Sequence, residues 1–209
     1  MTMVLLLGLV ISSHAILIDR GGGMIYSTDL NVTWLQDANY ARTSGFDDDG
    51  LMNWYQAMEW VATLEYGGYD DWRLPTFDPV NQSQCDVSTL HEMRYLLYTE
   101  LGIPCGSYPN DFGPFINVLP ELPGGSIGQW YWSGTEDSPS SAWRFSFECG
   151  WWDAHDKAVG FFAWAVRDGD VEPVDVCEGD FDGDKDVDAD DVTKFLEDFG
   201  RSQFFNPCP

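Results

Sequence analysis

Three short segments constrain the fold most: Trp130-Tyr131-Trp132-Ser133, Trp143-Arg144-Phe145-Ser146-Phe147 and Phe162-Ala163-Trp164-Ala165-Val166-Arg167. Each sets large aromatics against smaller or polar residues with a period near two. That period is the signature of a β-strand with one buried face. The three segments are separated by stretches rich in Gly, Pro, Ser and Asp, so short antiparallel strands joined by ordered loops are expected. In the Trp143 segment the aromatics share one face. Aromatic abundance also settles whether the chain folds: 10 Trp, 9 Tyr and 13 Phe accompany a formal charge of −25. Disordered chains of such charge are poor in aromatics.

The N-terminal half adds helices. Asn53 is placed to cap a helix running to Tyr66, and Gln56 sits at the capping-box position. Trp54, Met58, Val61 and Ala62 continue one face, and Gly67-Gly68 supplies the stop. A second helix is expected over 89–101, with Ser88 as cap, Leu90, Met93, Leu97 and Leu101 at helical spacing, and Gly102 at its end. Met24-Ile25-Tyr26 and Asn31-Val32-Thr33-Trp34 are further strand candidates, and Trp34 to Arg42 a short helix candidate. Two helices with an antiparallel sheet define an α+β class. The cysteines Cys85, Cys105 and Cys149 share one bond among them in an oxidising compartment, and the sequence does not assign it.

The chain opens on an apolar run, Met3 to Ile11, followed by Ser12-Ser13-His14-Ala15. It reads as a signal peptide over 1–15, too short for the ~20 apolar residues of a membrane span. Secretion to the extracellular space or periplasm is the expectation. With 35 acidic and 10 basic residues, no basic patch for nucleic acid or anionic lipid is expected.

Composition shifts near residue 170. Between Asp170 and Asp198 there are 13 acidic residues and two Lys in 29 positions. Residues 170–176 read as a linker, dividing a body of 16–169 from a module of 177–209. In the module, Asp180, Asp182, Asp184, Asp186, Asp188 and Asp191 occupy positions 1, 3, 5, 7, 9 and 12 of a calcium loop. Hard oxygens at these offsets suit Ca²⁺, with Asp186 contributing its backbone carbonyl. Val192, Phe195, Leu196 and Phe199 then form one face of a following helix that Gly200 ends. Cys177 and Cys208 bracket this segment and are the expected disulfide, since 33 residues hold too small a core alone. The loop resembles one repeat of a type I dockerin, with Asp where an EF-hand has Glu. Lys185 replaces the usual Gly at position 6, and a dockerin carries two repeats where this chain has one. The resemblance therefore implies an isolated EF-hand-like calcium module and not cohesin as a partner.

Five motifs of the body, in order, carry a second resemblance. They are Gly50-Leu51-Met52-Asn53-Trp54, Gly67-Gly68-Tyr69-Asp70-Asp71-Trp72-Arg73-Leu74-Pro75-Thr76, Tyr131-Trp132-Ser133-Gly134-Thr135, Ala142-Trp143-Arg144-Phe145-Ser146-Phe147 and Ala163-Trp164-Ala165-Val166-Arg167. Together they resemble the Lcl C-terminal domain family of bacterial extracellular proteins. The resemblance implies a C-type-lectin-like fold. It carries no activity over, and the sulfated polysaccharide bound by the family's best-known member is not expected of so acidic a body. Within the second motif Arg73 is expected to fork-bond a carboxylate or loop carbonyls as a cross-brace.

No nucleophile elbow and no His-Glu-x-x-His pattern occurs, and only His91 and His155 remain after residue 15. A non-catalytic binding or adhesion protein is the expectation, with a glycan or cell-surface component as partner. A carbohydrate-active enzyme component and a purely structural envelope protein are the alternatives. Trp151 and Trp152 are the candidate ligand-facing residues, because adjacent tryptophans in Cys149-Gly150-Trp151-Trp152-Asp153 cannot both face one core. Asp47-Asp48-Asp49-Gly50 is either a solvated turn or a cation loop, the turn being the commoner case.

Overall fold

In the computed structural model the described residues are 17–78, 91–118 and 129–171, with four further helical positions, Ala189, Val192, Thr193 and Leu196. The chain divides into two units, 1–171 and 172–209.

In the first unit three strands come in quick succession: β1 Leu17–Asp19, β2 Met24–Ser27 and β3 Val32–Leu35. Gly21, Gly22 and Gly23 all have positive φ in the β1–β2 turn, which a side chain would resist. Two helices follow, α1 Tyr40–Thr43 and α2 Trp54–Ala62. Trp34 is thus a strand residue, and the helix expected from it to Arg42 shrinks to α1. α2 starts where its cap predicts. Asn53 Oδ1 accepts from Gln56 N at 3.0 Å, and Gln56 Oε1 accepts from Asn53 N at 3.1 Å.

The second expected helix is split. α3 covers Glu92–Tyr95 and runs into a π turn, Leu96–Glu100, closed by Leu101 N donating to Leu96 O at 2.9 Å. Gly102 follows with φ 63°. The Ser88 cap and Leu90 lie outside the described residues. The two helices of the sequence reading are therefore three short helices and a π turn.

The expected single sheet is two antiparallel sheets. One has the order β1-β2-β3-β7, where β7 is Val166–Asp168; the other is β4-β5-β6, from Trp130–Ser138, Ser141–Ser146 and Trp152–Asp156. The alternating segment at Phe162 becomes strand only from Val166. Its earlier part stitches the sheets together: Phe161 bridges Met52, Phe162 bridges Tyr131, and Leu35 N donates to Ala165 O at 3.1 Å.

The core lies between the sheets, built on Trp34, Trp60, Trp132, Trp164, Tyr131, Phe145, Phe147 and Phe162, all at most 2% exposed. Buried indoles also donate hydrogen bonds to loop carbonyls. Trp54 Nε1 reaches Ser133 O at 2.9 Å, Trp132 Nε1 reaches Met52 O at 3.0 Å, and Trp164 Nε1 reaches Leu35 O at 2.7 Å. Each ring thereby fills volume and fixes a loop, which suits Trp to a fold with little regular structure.

Arg73 is the cross-brace its motif suggests. Its guanidinium donates to both carboxylate oxygens of the buried Glu92, at 2.9 and 2.7 Å, and to Asp168 and the Leu74 carbonyl. Glu92 also accepts from Thr76 N at 2.6 Å. One fork thus joins the 73–76 loop, α3 and the end of β7.

In the second unit, Val192, Thr193 and Leu196 are helical where a helix is expected after the acidic loop, and Ala189, inside the loop span, is helical as well. Thr193 Oγ1 donates to Ala189 O at 3.1 Å. The ligand positions Asp180, Asp182, Asp184, Asp186, Asp188 and Asp191, and both Cys177 and Cys208, lie outside the described residues. Among the other cysteines, Cys149 is a free thiol and Cys105 is disulfide-bonded to a partner outside the described residues.

Candidate functional site

Two surfaces of the first unit have the makings of a binding site. The first is the turn between β5 and β6. Ser146 N donates to Trp151 O and Gly150 N to Ser146 O, both at 2.8 Å. Gly150 has φ 69°, and a Cβ there would lie 1.8 Å from Tyr98 Oη, so only glycine fits. Tyr98 Oη donates to Gly150 O at 3.4 Å. This turn separates the two adjacent tryptophans. Trp151 is 59% exposed, the one exposed indole of the ten. Trp152 is half-buried, with the Arg94 guanidinium 4.3 Å from its ring centroid. The two rings therefore part, with Trp151 outside and Trp152 anchored. Next to them Asp153 accepts a fork from Arg144 at 2.6 and 3.1 Å, while Arg144 also stacks on Trp130 at 4.0 Å.

The second surface has no counterpart in the sequence reading. Asp37, just after β3, is the hub of a polar pocket. Its Oδ1 accepts from Asn39 N at 2.9 Å and from Asn117 Nδ2 at 3.0 Å, and its Oδ2 accepts from Thr43 Oγ1 at 2.7 Å. Asn39, Arg42, Thr43 and Asn117 line a pocket of about 280 Å³ above this hub. Asn117 holds φ 57°, which asparagine tolerates better than most residues. Asn39 is 3% exposed, and its Oδ1 is buried against Gly50 with no hydrogen-bond partner. Beyond Tyr40, which meets Tyr66 edge-on at 4.9 Å, residues 65–70 line a second depression of about 350 Å³. The pocket escapes sequence reasoning because Asn117 joins Asn39 and Thr43 across more than seventy residues. No periodicity or spacing marks such a meeting.

The Asp47-Asp48-Asp49-Gly50 run forms a turn satisfied by its own carboxylates. Asp47 Oδ1 accepts from Asp49 N and Gly50 N, and Asp49 Oδ1 accepts from Leu51 N. Among the described residues no group of three or more His, Cys, Asp or Glu is arranged to hold a metal.

Two titratable groups, one buried and one half-buried, stand apart from both surfaces. His91 is fully buried between Phe77, Phe145 and Trp152, and neither ring nitrogen has a hydrogen-bond partner. Burial, aided by the Arg94 charge, pushes its pKa down to about 2. Glu100, on the π turn, accepts from Ser27 Oγ at 2.5 Å. Burial and the nearby Asp29 push its pKa up to about 7, against the opposing effect of the Ser27 bond.

An α+β domain of two antiparallel sheets, with indole-to-loop hydrogen bonds and arginine forks as its braces, is the class these features define. The sequence model of the Lcl C-terminal domain matches residues 23–167, and the chain belongs to that family. No curated protein matches this chain. The acidic segment 177–209 lies outside the matched range. Among the described residues no helix is long and apolar enough to cross a membrane.

Proposed function

We propose that the chain is a secreted, non-catalytic binding or adhesion protein of the bacterial cell exterior. Its family domain, in this reading C-type-lectin-like, binds a glycan or other cell-surface component, and its C-terminal module binds Ca²⁺. The observation that carries the binding function is Trp151. Six of the ten indoles are buried and three half-buried, while this one stands out on a turn held by Gly150, Tyr98 and the Ser146 backbone. A large, rigid ring with a free face offers apolar contact to the C–H face of a sugar at little entropy cost.

A panel of neutral and charged glycans tests this. Saturable binding to at least one, lost in Trp151→Ala with thermal unfolding unchanged, is the expected result. A panel with no glycan whose binding Trp151→Ala removes, or a hydrolytic activity that tracks the pure protein, overturns it.

The calcium reading rests on the spacing of the six aspartates and the helical positions beside them. An extracellular module needs only roughly 10⁻⁴ to 10⁻³ M affinity. Calorimetry of the full chain should give a calcium heat that the double variant Asp180→Ala and Asp184→Ala loses; equal heats refute the site.

A further inference from the structure

We propose that the pocket at α1 binds a uronic acid, a single carboxylate-bearing sugar, with Arg42 on the carboxylate. The first ground is charge. Arg20, Arg73, Arg144, Arg167 and Lys157 each form an ion pair with an acidic side chain. Arg42 lines the pocket and forms none among the described residues, in a chain with 35 carboxylates. An unengaged guanidinium is a planar fork that matches a carboxylate in two parallel hydrogen bonds.

The second ground is the disposition of the remaining polar groups. Asp37 consumes the Thr43 hydroxyl proton and one Asn117 amide proton. Thr43 Oγ1 is left with lone pairs only, and Asn117 Oδ1 is left as an acceptor. Asn39, which also lines the pocket, has its Oδ1 against Gly50. The pocket walls therefore combine one cation with acceptors and donors suited to hydroxyls. A simple carboxylate uses the first and leaves the others unused. A peptide C-terminus brings a carboxylate but no sugar hydroxyls, and its side chain meets no apolar residue in the lining.

Size agrees. About 280 Å³ is just below the range of drug-sized ligand pockets, which suits one sugar ring. Polyanions are excluded, because their affinity scales with the number of cations that meet them, and this pocket has one. The site does not depend on Trp151, so the two ligand readings stand or fall separately.

The test is a titration of the full chain with D-glucuronate, followed by calorimetry and by amide shifts of residues 37–43. D-Glucose, acetate and the dipeptide Gly-Ala serve as comparison ligands. Glucuronate is expected to bind saturably and at least about tenfold more tightly than the other three, the scale of a charge-assisted fork. Arg42→Gln should lose at least about tenfold in affinity, with Arg42→Lys between it and wild type. Arg42 is exposed, so both variants should unfold at the wild-type temperature. Trp151→Ala should bind glucuronate as wild type does. Absence of glucuronate binding, equal binding of glucose, acetate or the dipeptide, or unchanged affinity in Arg42→Gln overturns the proposal.

Discussion

Trp34 and Trp164 meet edge-on, 5.1 Å between ring centroids, and both are fully buried. They differ in one atom's surroundings. Trp164 Nε1 donates to the Leu35 carbonyl, whereas Trp34 Nε1 is buried with no partner. An unsatisfied buried donor costs about 1–3 kcal/mol, while a made hydrogen bond contributes about 1 kcal/mol net. Phenylalanine removes the indole N–H and some ring volume in either case. Trp34→Phe thus discards a liability along with the volume, and Trp164→Phe leaves the Leu35 carbonyl without its donor. Trp164→Phe should be the less stable variant by about 1–2 kcal/mol. Denaturant midpoints with matching slopes measure the difference, and equal midpoints would contradict it.

At the scale of elements, α2 shows how a short helix is held by its first turn. Nine residues are marginal alone. The reciprocal Asn53–Gln56 bonds satisfy two backbone donors there, and Trp54, Ala57, Trp60 and Val61 anchor one face in the core. Asn53→Ala should cost about 1 kcal/mol. Adding Gln56→Ala should cost less than the sum of the two single changes, because the pair acts as one unit. Thermal unfolding of the four proteins in the cycle checks both statements. This helix was legible from the sequence because cap, periodicity and stop are local and agree. β6 was not legible, since Trp152-Asp153-Ala154-His155-Asp156 lacks an apolar alternation. It is a strand because β5 offers a paired edge from Ser141 to Phe145. The segment before β7 misled in the opposite sense: its alternation reflects burial in a run that crosses between sheets with single bridges. Within the candidate sites, exposure of one of two adjacent tryptophans followed from their adjacency in the chain. The Asp37 hub did not, because its partners come from separate parts of the chain.

For the whole domain, His91 and Glu100 make opposite contributions to pH dependence. His91 stays neutral in the folded protein down to about pH 2, but takes a proton in the unfolded chain below 6.5. The unfolded state then binds more protons, so this group lowers stability as pH falls through 6.5. Glu100 keeps its proton in the folded protein up to about pH 7, while the unfolded chain releases it above 4.5. Its contribution is full below 4.5 and is lost as pH rises towards 7. Between 4.5 and 6.5 the two slopes offset. Glu100→Gln should expose the histidine slope, with stability relative to wild type rising with pH across that window. His91→Phe should expose the glutamate slope, with relative stability falling. Urea midpoints from pH 4.5 to 7 read both, and parallel profiles for all three proteins would refute the assignment.

The pairing of β7 with β3 has a consequence for how this domain travels between proteins. Leu17, Ser27, Val32 and Asp168 lie in one row across the first sheet. Three interstrand spacings separate the first residue of that row from the last, about 14 Å. The polypeptide thus enters and leaves the domain at one end of one sheet, within reach of a short peptide bridge. A unit with adjoining ends can be spliced into a surface turn of a host protein without pulling apart either fold. By the same geometry, joining those ends through a few glycines and opening the β4–β5 turn at Pro139 should yield a circular permutant that keeps both sheets.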